Sequence, residues 1–220
     1  MALRSRFLTV PLFFLGTVAA PGQQSAPIVQ PGAPGQPGKF LTEATVRIPA
    51  KAPFDADVEF MQGMIMHHQQ AVDMVMLLRA HGKSPALKAF GDKISISQSD
   101  EIGFMKRWLE SRGKPTTMMM MMDHSDMSGD EMKNMNMLMP GMLTPEQMSA
   151  LAKARGAQFD HLFLTGMIQH HGGALTMVDA LFDTPGAGQE PVLFDFATDI
   201  ENTQSAEIKI MRGMLDKEKK

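Results

Sequence analysis

The sequence contains no cysteine. Disulfides and lipid attachment at a cysteine are therefore excluded. A preponderance of basic charge is missing too: 21 Lys and Arg stand against 24 Asp and Glu, for a formal net charge of -3. Phosphate binding needs a basic stripe; none is present, so nucleic acid is disfavoured as a partner. The apolar stretch from Phe7 to Val18 is broken by Thr9, Pro11, Gly16 and Thr17, and is shorter than the roughly 20 residues a membrane-spanning helix needs. No Ser-His-Asp constellation, phosphate loop or zinc-ligand spacing stands out, and no Glu-x-x-His occurs.

What is present begins with an export signal. Arg4 and Arg6 precede the apolar stretch, and Ala19-Ala20 offers small residues for cleavage before Pro21. Cleavage of residues 1–20 leaves 19 basic against 24 acidic residues, or -5, with no membrane attachment. Against the absent cysteines stand 23 methionines. In an oxidising compartment free thiols pair or oxidise. Thioethers cannot form disulfides, though they oxidise reversibly to sulfoxide, and they have no proton to lose before binding a metal. Pro21 to Pro37, with PGQQSAP and QPGAPGQPG, has the composition of a flexible linker. Lys39 to Pro53 reads as a short strand or an ordered lead-in.

From Phe54 onward the chain is helical and duplicated. A shift of 103 positions lays DVEFMQGMIMHHQQAVDM (Asp57 to Met74) on DHLFLTGMIQHHGGALTM (Asp160 to Met177). A second match, at a shift of 106, carries Phe90, Ile94, Gln98, Glu101, Ile102 and Met105 onto Phe196, Ile200, Gln204, Glu207, Ile208 and Met211. The repeating unit is helix, short loop, helix. His81-Gly82 ends the first helix, Ser84-Pro85 starts the second and Arg112-Gly113 closes it. Thr144-Pro145-Glu146-Gln147 is a capping-box start to a shorter helix, which Gly156 interrupts before the second His-His helix. A last helix runs from about Pro191 to Leu215. The fold class expected is all-α: a ferritin-like antiparallel four-helix bundle made from a duplicated helix-hairpin. Its first repeat is 54–113, a long Met-rich crossover loop is 114–143, and the second repeat is 144–216.

At about 100° per residue, Phe60, Met64, Ala71 and Met74 share one stripe, and His67 and His68 flank it. Phe163, Met167, Ala174, Met177, His170 and His171 repeat the arrangement. Met64 and His68, like Met167 and His171, are one turn apart, so sulfur and imidazole can meet on one face. Between the copies Met66, Gln69-Gln70 and Asp73, read as outward positions, change to Gln169, Gly172-Gly173 and Thr176, whereas the His-His-x-x-Ala-x-x-Met frame persists. A lone inward histidine is more often a hydrogen-bonded core residue, and methionines on a stripe are usually packing. The repeated pair beside sulfur favours metal. Met105 and Met211 on the partner helices are further candidate ligands. Gln98 and Glu101, with their counterparts, could complete the site, orient it or lie at the surface.

Eleven of the methionines fall between Met118 and Met142, among Asp, Ser, Gly, Asn and Lys. That pattern is too polar to form a core of its own. Met118, Met119, Met120, Met121 and Met122 form an unbroken run, and Met122, His124 and Met127 form a mixed cluster. Thioethers are poor ligands for hard cations; with a few histidines they select Cu(I) and, by the same chemistry, Ag(I).

At the paired G-M-I-x-H-H-x-x-A-x-x-M motifs and their Q-x-x-E-I-x-x-M partners, the chain resembles the family catalogued as domain of unknown function 305. The resemblance runs from about Phe54 to Leu215. It implies a ferritin-like bundle, commonly exported, and a similarity to periplasmic copper-binding proteins that support copper tolerance. Its implied ligands are Met64, His67, His68 and Met74, with Met167, His170, His171 and Met177. The leading expectation is a non-enzymatic protein that captures or buffers Cu(I) outside the cytoplasm, with a copper-handling protein as a possible partner. The alternatives are a di-iron or di-manganese oxidase and a helical interaction module.

Overall fold

Proline and glycine punctuation sets the limits of the helices in the computed structural model, which describes residues 28–30, 37–41, 53–118 and 138–218. The chain divides into two units, Met1–Ala50 and Lys51–Lys220. In the first, β1 (Ile28–Gln30) pairs antiparallel with β2 (Lys39–Leu41), Val29 opposite Phe40. This ladder uses a strand inside the stretch read as linker. Its β-branched and aromatic residues suit a pleated pair more than a solvated coil. The export signal lies outside the described residues.

The second unit is helical. The elements are α1 (Asp55–His81), α2 (Pro85–Glu110), α3 (Pro145–Lys153), α4 (Gly156–Asp183) and α5 (Pro191–Glu218). Ser84 caps α2, its side chain accepting from Leu87 N at 3.2 Å, and Pro85 takes the first helical position. Thr144 and Gln147 form the expected capping box on α3. Gly156 separates α3 from α4 with φ of 64°, a left-handed conformation that glycine adopts without a steric penalty. The last helix continues one turn beyond the expected Leu215.

Short loops make α1 with α2, and α4 with α5, into two hairpins that meet through α1 and α4. The two central helices run antiparallel. The start of α1 lies at the end of α4, where Gly188 N donates to Asp57 Oδ1 at 2.7 Å, and the end of α1 lies at the start of α4, where Gly82 bridges Gly156. Phe104 on α2 meets Phe196 on α5 with ring centroids 4.5 Å apart, completing a four-helix bundle. Its apolar interior forms two clusters related by the repeat. Met64, Met105 and Met177 lie in one, and their counterparts Met167, Met211 and Met74 lie in the other. Of these six, each cluster takes two from one hairpin and one from the other, and Met61 adds a further methionine to the first cluster.

The buried carboxylates Asp57 and Asp160 occupy equivalent repeat positions, and each holds the loop of the opposite hairpin. Asp160 accepts from Lys83 N and Ser84 N at 2.9 and 2.8 Å, whereas Asp57 accepts from Gly188 N. Hydrogen bonds to a charged group contribute about 1.5–3 kcal/mol each. Asp160→Ala is expected to destabilise the bundle by about 2–4 kcal/mol, and Asp57→Ala by less. Urea unfolding of the two variants checks this; equal, negligible losses would show that the loops do not depend on these clasps.

Candidate metal centre

All four repeated histidines are inside the bundle, with no solvent exposure. Each has one ring nitrogen anchored. His67 Nε2 lies 3.0 Å from Pro140 O, and His170 Nε2 lies 2.8 Å from His67 O. His68 Nε2 lies 2.6 Å from Glu101 Oε2, and His171 Nε2 lies 2.6 Å from Glu207 Oε2. A carbonyl only accepts, so in His67 and His170 the proton sits on Nε2 and the lone pair on Nδ1. In the other pair the carboxylate favours the same tautomer. All four Nδ1 atoms are buried and have no hydrogen-bond partner among the described residues.

That combination is the one a metal-ligating histidine shows, and it makes these four candidate ligands. A histidine kept only for packing pairs both nitrogens, because a buried polar atom left unmade costs about 1–3 kcal/mol. A metal-binding histidine has its far nitrogen fixed by a carboxylate or carbonyl, which orients the ring and raises its basicity. The four rings neighbour one another in pairs, although no three His, Asp or Glu side chains among the described residues converge on one position. His67 and His170 face one another at 3.8 Å between centroids, and His68 and His171 stand 6.3 and 6.1 Å from their chain neighbours. Met64, Met74, Met105, Met167 and Met211 are fully buried in the two clusters, and Met177 is 8% exposed. The bundle therefore brings its expected ligands into one interior. Met119, Met120, Met121, Met122, His124 and Met127 lie outside the described residues.

Glu101 and Glu207, left open by the sequence, are placed directly against the imidazoles, and Ser97 Oγ donates to Glu101 Oε1 at 2.9 Å. Gln98 and Gln204 are inside, each 2% exposed, with neither amide atom hydrogen-bonded among the described residues. Pro140 gave no signal in the sequence as a residue of the site. Its role depends on where the crossover returns to the bundle.

The return also corrects one sequence reading. Gln70 and Gly173 change between the copies not because they face solvent but because they receive this segment. Gln70 clamps Leu143 through both amide atoms, accepting from Leu143 N at 2.7 Å and donating to Leu143 O at 3.0 Å. Gly173, at the equivalent position on α4, is buried against Pro140 and Gly141; a Cβ there would sit 1.9 Å from Pro140 O. Any side chain at 173 would push away the carbonyl that anchors His67. Both ends of the methionine run also reach α1: a Cβ on Gly63 would lie 3.2 Å from Met139 Sδ, 3.3 Å from Met177 Cε and 3.7 Å from Met118 Cε.

Such a molecule is a duplicated helix-hairpin bundle whose interior holds four histidines anchored at Nε2 and a set of buried methionines. Its sequence from 57 to 215 matches the family described as Domain of unknown function (DUF305), and the chain belongs to that family. Comparison with curated proteins gives no match. Among solved structures, a DUF305 protein from Streptomyces coelicolor is 28% identical, covering 74% of this chain and 93% of its own, with a TM-score of 0.61. A DUF305 fragment from Deinococcus radiodurans is 25% identical, covering 76% and 99%, with a TM-score of 0.62. CopM in its Cu(I)-bound form is 28% identical, covering 73% and 96%, with a TM-score of 0.55; CopM is also known bound to Cu(II) and to silver.

Burial holds the central imidazoles neutral. The pKa of His67 falls from 6.5 to about 3, first through desolvation and then through the nearby His68, with its bond to Pro140 opposing the shift. That of His170 falls well below its ordinary value, again first through desolvation and then through His67, His171 and His68. Between pH 6.5 and about 3 the unfolded chain therefore binds more protons at His67, and His170 acts in the same direction. Stability is complete above the upper limit and is lost as pH falls, at about 1.4 kcal/mol per pH unit for each histidine. The urea midpoint of the metal-free protein should be level above about pH 7 and drop steadily below about pH 6. A midpoint unchanged down to about pH 4.5 would contradict the buried neutral pair.

Proposed function

We propose that this chain is an exported, non-enzymatic protein that captures or buffers Cu(I), and Ag(I) by the same chemistry, through histidine Nδ1 and methionine sulfur. The observation that carries the reading is the set of four buried histidines, each anchored at Nε2 and bare at Nδ1. Neutral imidazole and thioether are soft or borderline donors that need lose no proton on binding a monovalent soft ion. The ion's charge would be uncompensated in an apolar interior. Glu101 and Glu207, each one imidazole away, supply the compensating negative charge. Structural relatives that bind copper and silver support the same choice of metal.

The di-iron or di-manganese alternative has less support. Such a site gathers several carboxylates around two metals. Among the described residues no three His, Asp or Glu side chains converge on a common position. Glu101 and Glu207 each face an imidazole instead.

The test is an anaerobic titration of the mature protein with Cu(I) against a chromophoric Cu(I) chelator. Wild type should compete for the metal, and replacing His67, His68, His170 and His171 together by Ala should abolish the tighter binding. Because that variant removes buried side chains, Glu101→Gln/Glu207→Gln provides a milder case, expected to weaken binding about 10–100-fold. Deletion of 119–137 should lower the number of ions held and leave the bundle folded, since both ends of the segment already meet at Gly63. Failure of wild type to compete would end the copper reading. Retained iron or manganese with oxygen consumption would replace it with the oxidase.

A further inference from the structure

The two halves of the bundle differ at one repeated glycine. Gly166 on α4 is covered by Leu143, whose Cδ2 would lie 3.0 Å from a Cβ there, and by Met74 Cε at 3.3 Å. Its counterpart Gly63 on α1 is surrounded by three thioethers, Met118, Met139 and Met177, all within 3.7 Å of the Cβ position. One methionine contact is common to both copies, since Met74 and Met177 are repeat equivalents. Met118 and Met139 have no counterpart at Gly166, where a hydrocarbon fills the space.

We propose that Met118, Met139 and Met177 form a separate thioether-only Cu(I) site over Gly63, at the foot of the crossover. The inference rests on the copper reading above and assigns Met177, until now grouped with His170 and His171, to a site of its own with Met118 and Met139. Chemistry and geometry support it together. Three uncharged sulfurs on flexible side chains suit a soft monovalent ion that tolerates low coordination numbers, and suit a hard cation poorly. Met139 already directs Sδ at the shared gap, and the sulfurs of Met118 and Met177 are one bond behind the methyl groups that touch it. The gap exists because position 63 has no Cβ. A glycine in a helix interior costs about 0.5–1 kcal/mol relative to alanine, and in this half the space it leaves is taken up by sulfur ligands.

The site is also reachable. Met118 and Met139 are only half-buried, and Met177 lines a cavity of about 290 Å³ open to solvent, together with Ala56, Glu59, Phe60, Pro140 and Thr176. Pro140 is next in sequence to Met139 and is the residue whose carbonyl anchors His67. A metal held over Gly63 is thus one residue from the segment that orients the interior ligand. Its exposure makes this the outer of the two sites.

Methionine methyl NMR tests this directly. With the methionine methyl groups labelled with ¹³C, Cu(I) added anaerobically should shift the Met118, Met139 and Met177 signals together, within the same equivalent. Met139→Leu, which keeps volume and removes sulfur, should lower the bound Cu(I) by one equivalent and leave the histidine group competent. Gly63→Ala fills the gap, favours the helix, and should weaken the same equivalent at least about tenfold. Met214→Leu, a half-buried methionine elsewhere, should change nothing. Unchanged stoichiometry and affinity in both Met139→Leu and Gly63→Ala, with wild type binding normally, would overturn this site and leave the histidine reading intact. Absence of any Cu(I) binding by wild type would overturn both.

Discussion

Where the two central helices cross, His170 on α4 donates from Nε2 to the main-chain carbonyl of His67 on α1, at 2.8 Å. The bond requires the helix backbones to lie close, and the fully buried Ala71 and Ala174, one turn beyond His67 and His170, leave space for that approach. Having committed one nitrogen to the backbone, His170 turns the other inward. Strict symmetry would have His67 return the bond to the carbonyl of His170. It bonds Pro140 instead, because the crossover comes back across Gly173 of α4 and inserts its own carbonyl. The repeat thus supplies two equivalent histidine pairs, and the crossover makes them different.

This arrangement concentrates cost in one place. Eight buried side-chain atoms, four of imidazole and four of amide, have no hydrogen-bond partner among the described residues. At about 1–3 kcal/mol each, the penalty is as large as the whole stability of a typical domain, about 5–15 kcal/mol. The two apolar clusters offset it, since a buried Phe, Leu or Met contributes roughly 1.5–3 kcal/mol. An ion that satisfied the imidazole nitrogens would relieve part of the cost only in the folded state. Binding and folding would then be linked, and the protein would gain stability on taking up metal.

Much of this was legible in the chain. The duplication gave the two hairpins, and the helical period placed His67, His68, His170 and His171 inside. Gly82, Ser84, Thr144 and Gly156 marked helix ends where the structure has them, since caps and breakers act through local geometry. Interactions set by distant segments were not legible. The pairing of Glu101 with His68 depends on the roll of α2 against α1, and Pro140 gains its role only through the docking of the crossover. Comparing the copies also misled in one respect: change at Gln70 and Gly173 was read as outward drift, yet one position clamps the crossover and the other makes room for it. The strand at Ile28–Gln30 was hidden by the proline and glycine around it.

The central claim is that anchoring at Nε2 presents Nδ1 as the ligand atom. Long-range ¹H–¹⁵N NMR of histidine-labelled protein, recorded at neutral pH before and after anaerobic Cu(I) addition, tests it most directly. The account predicts that the Nε2 protons of His67 and His170 persist throughout, while the Nδ1 signals of the buried histidines move on binding. Movement of Nε2 with loss of its proton, or unchanged histidine signals while Cu(I) binds, would contradict it.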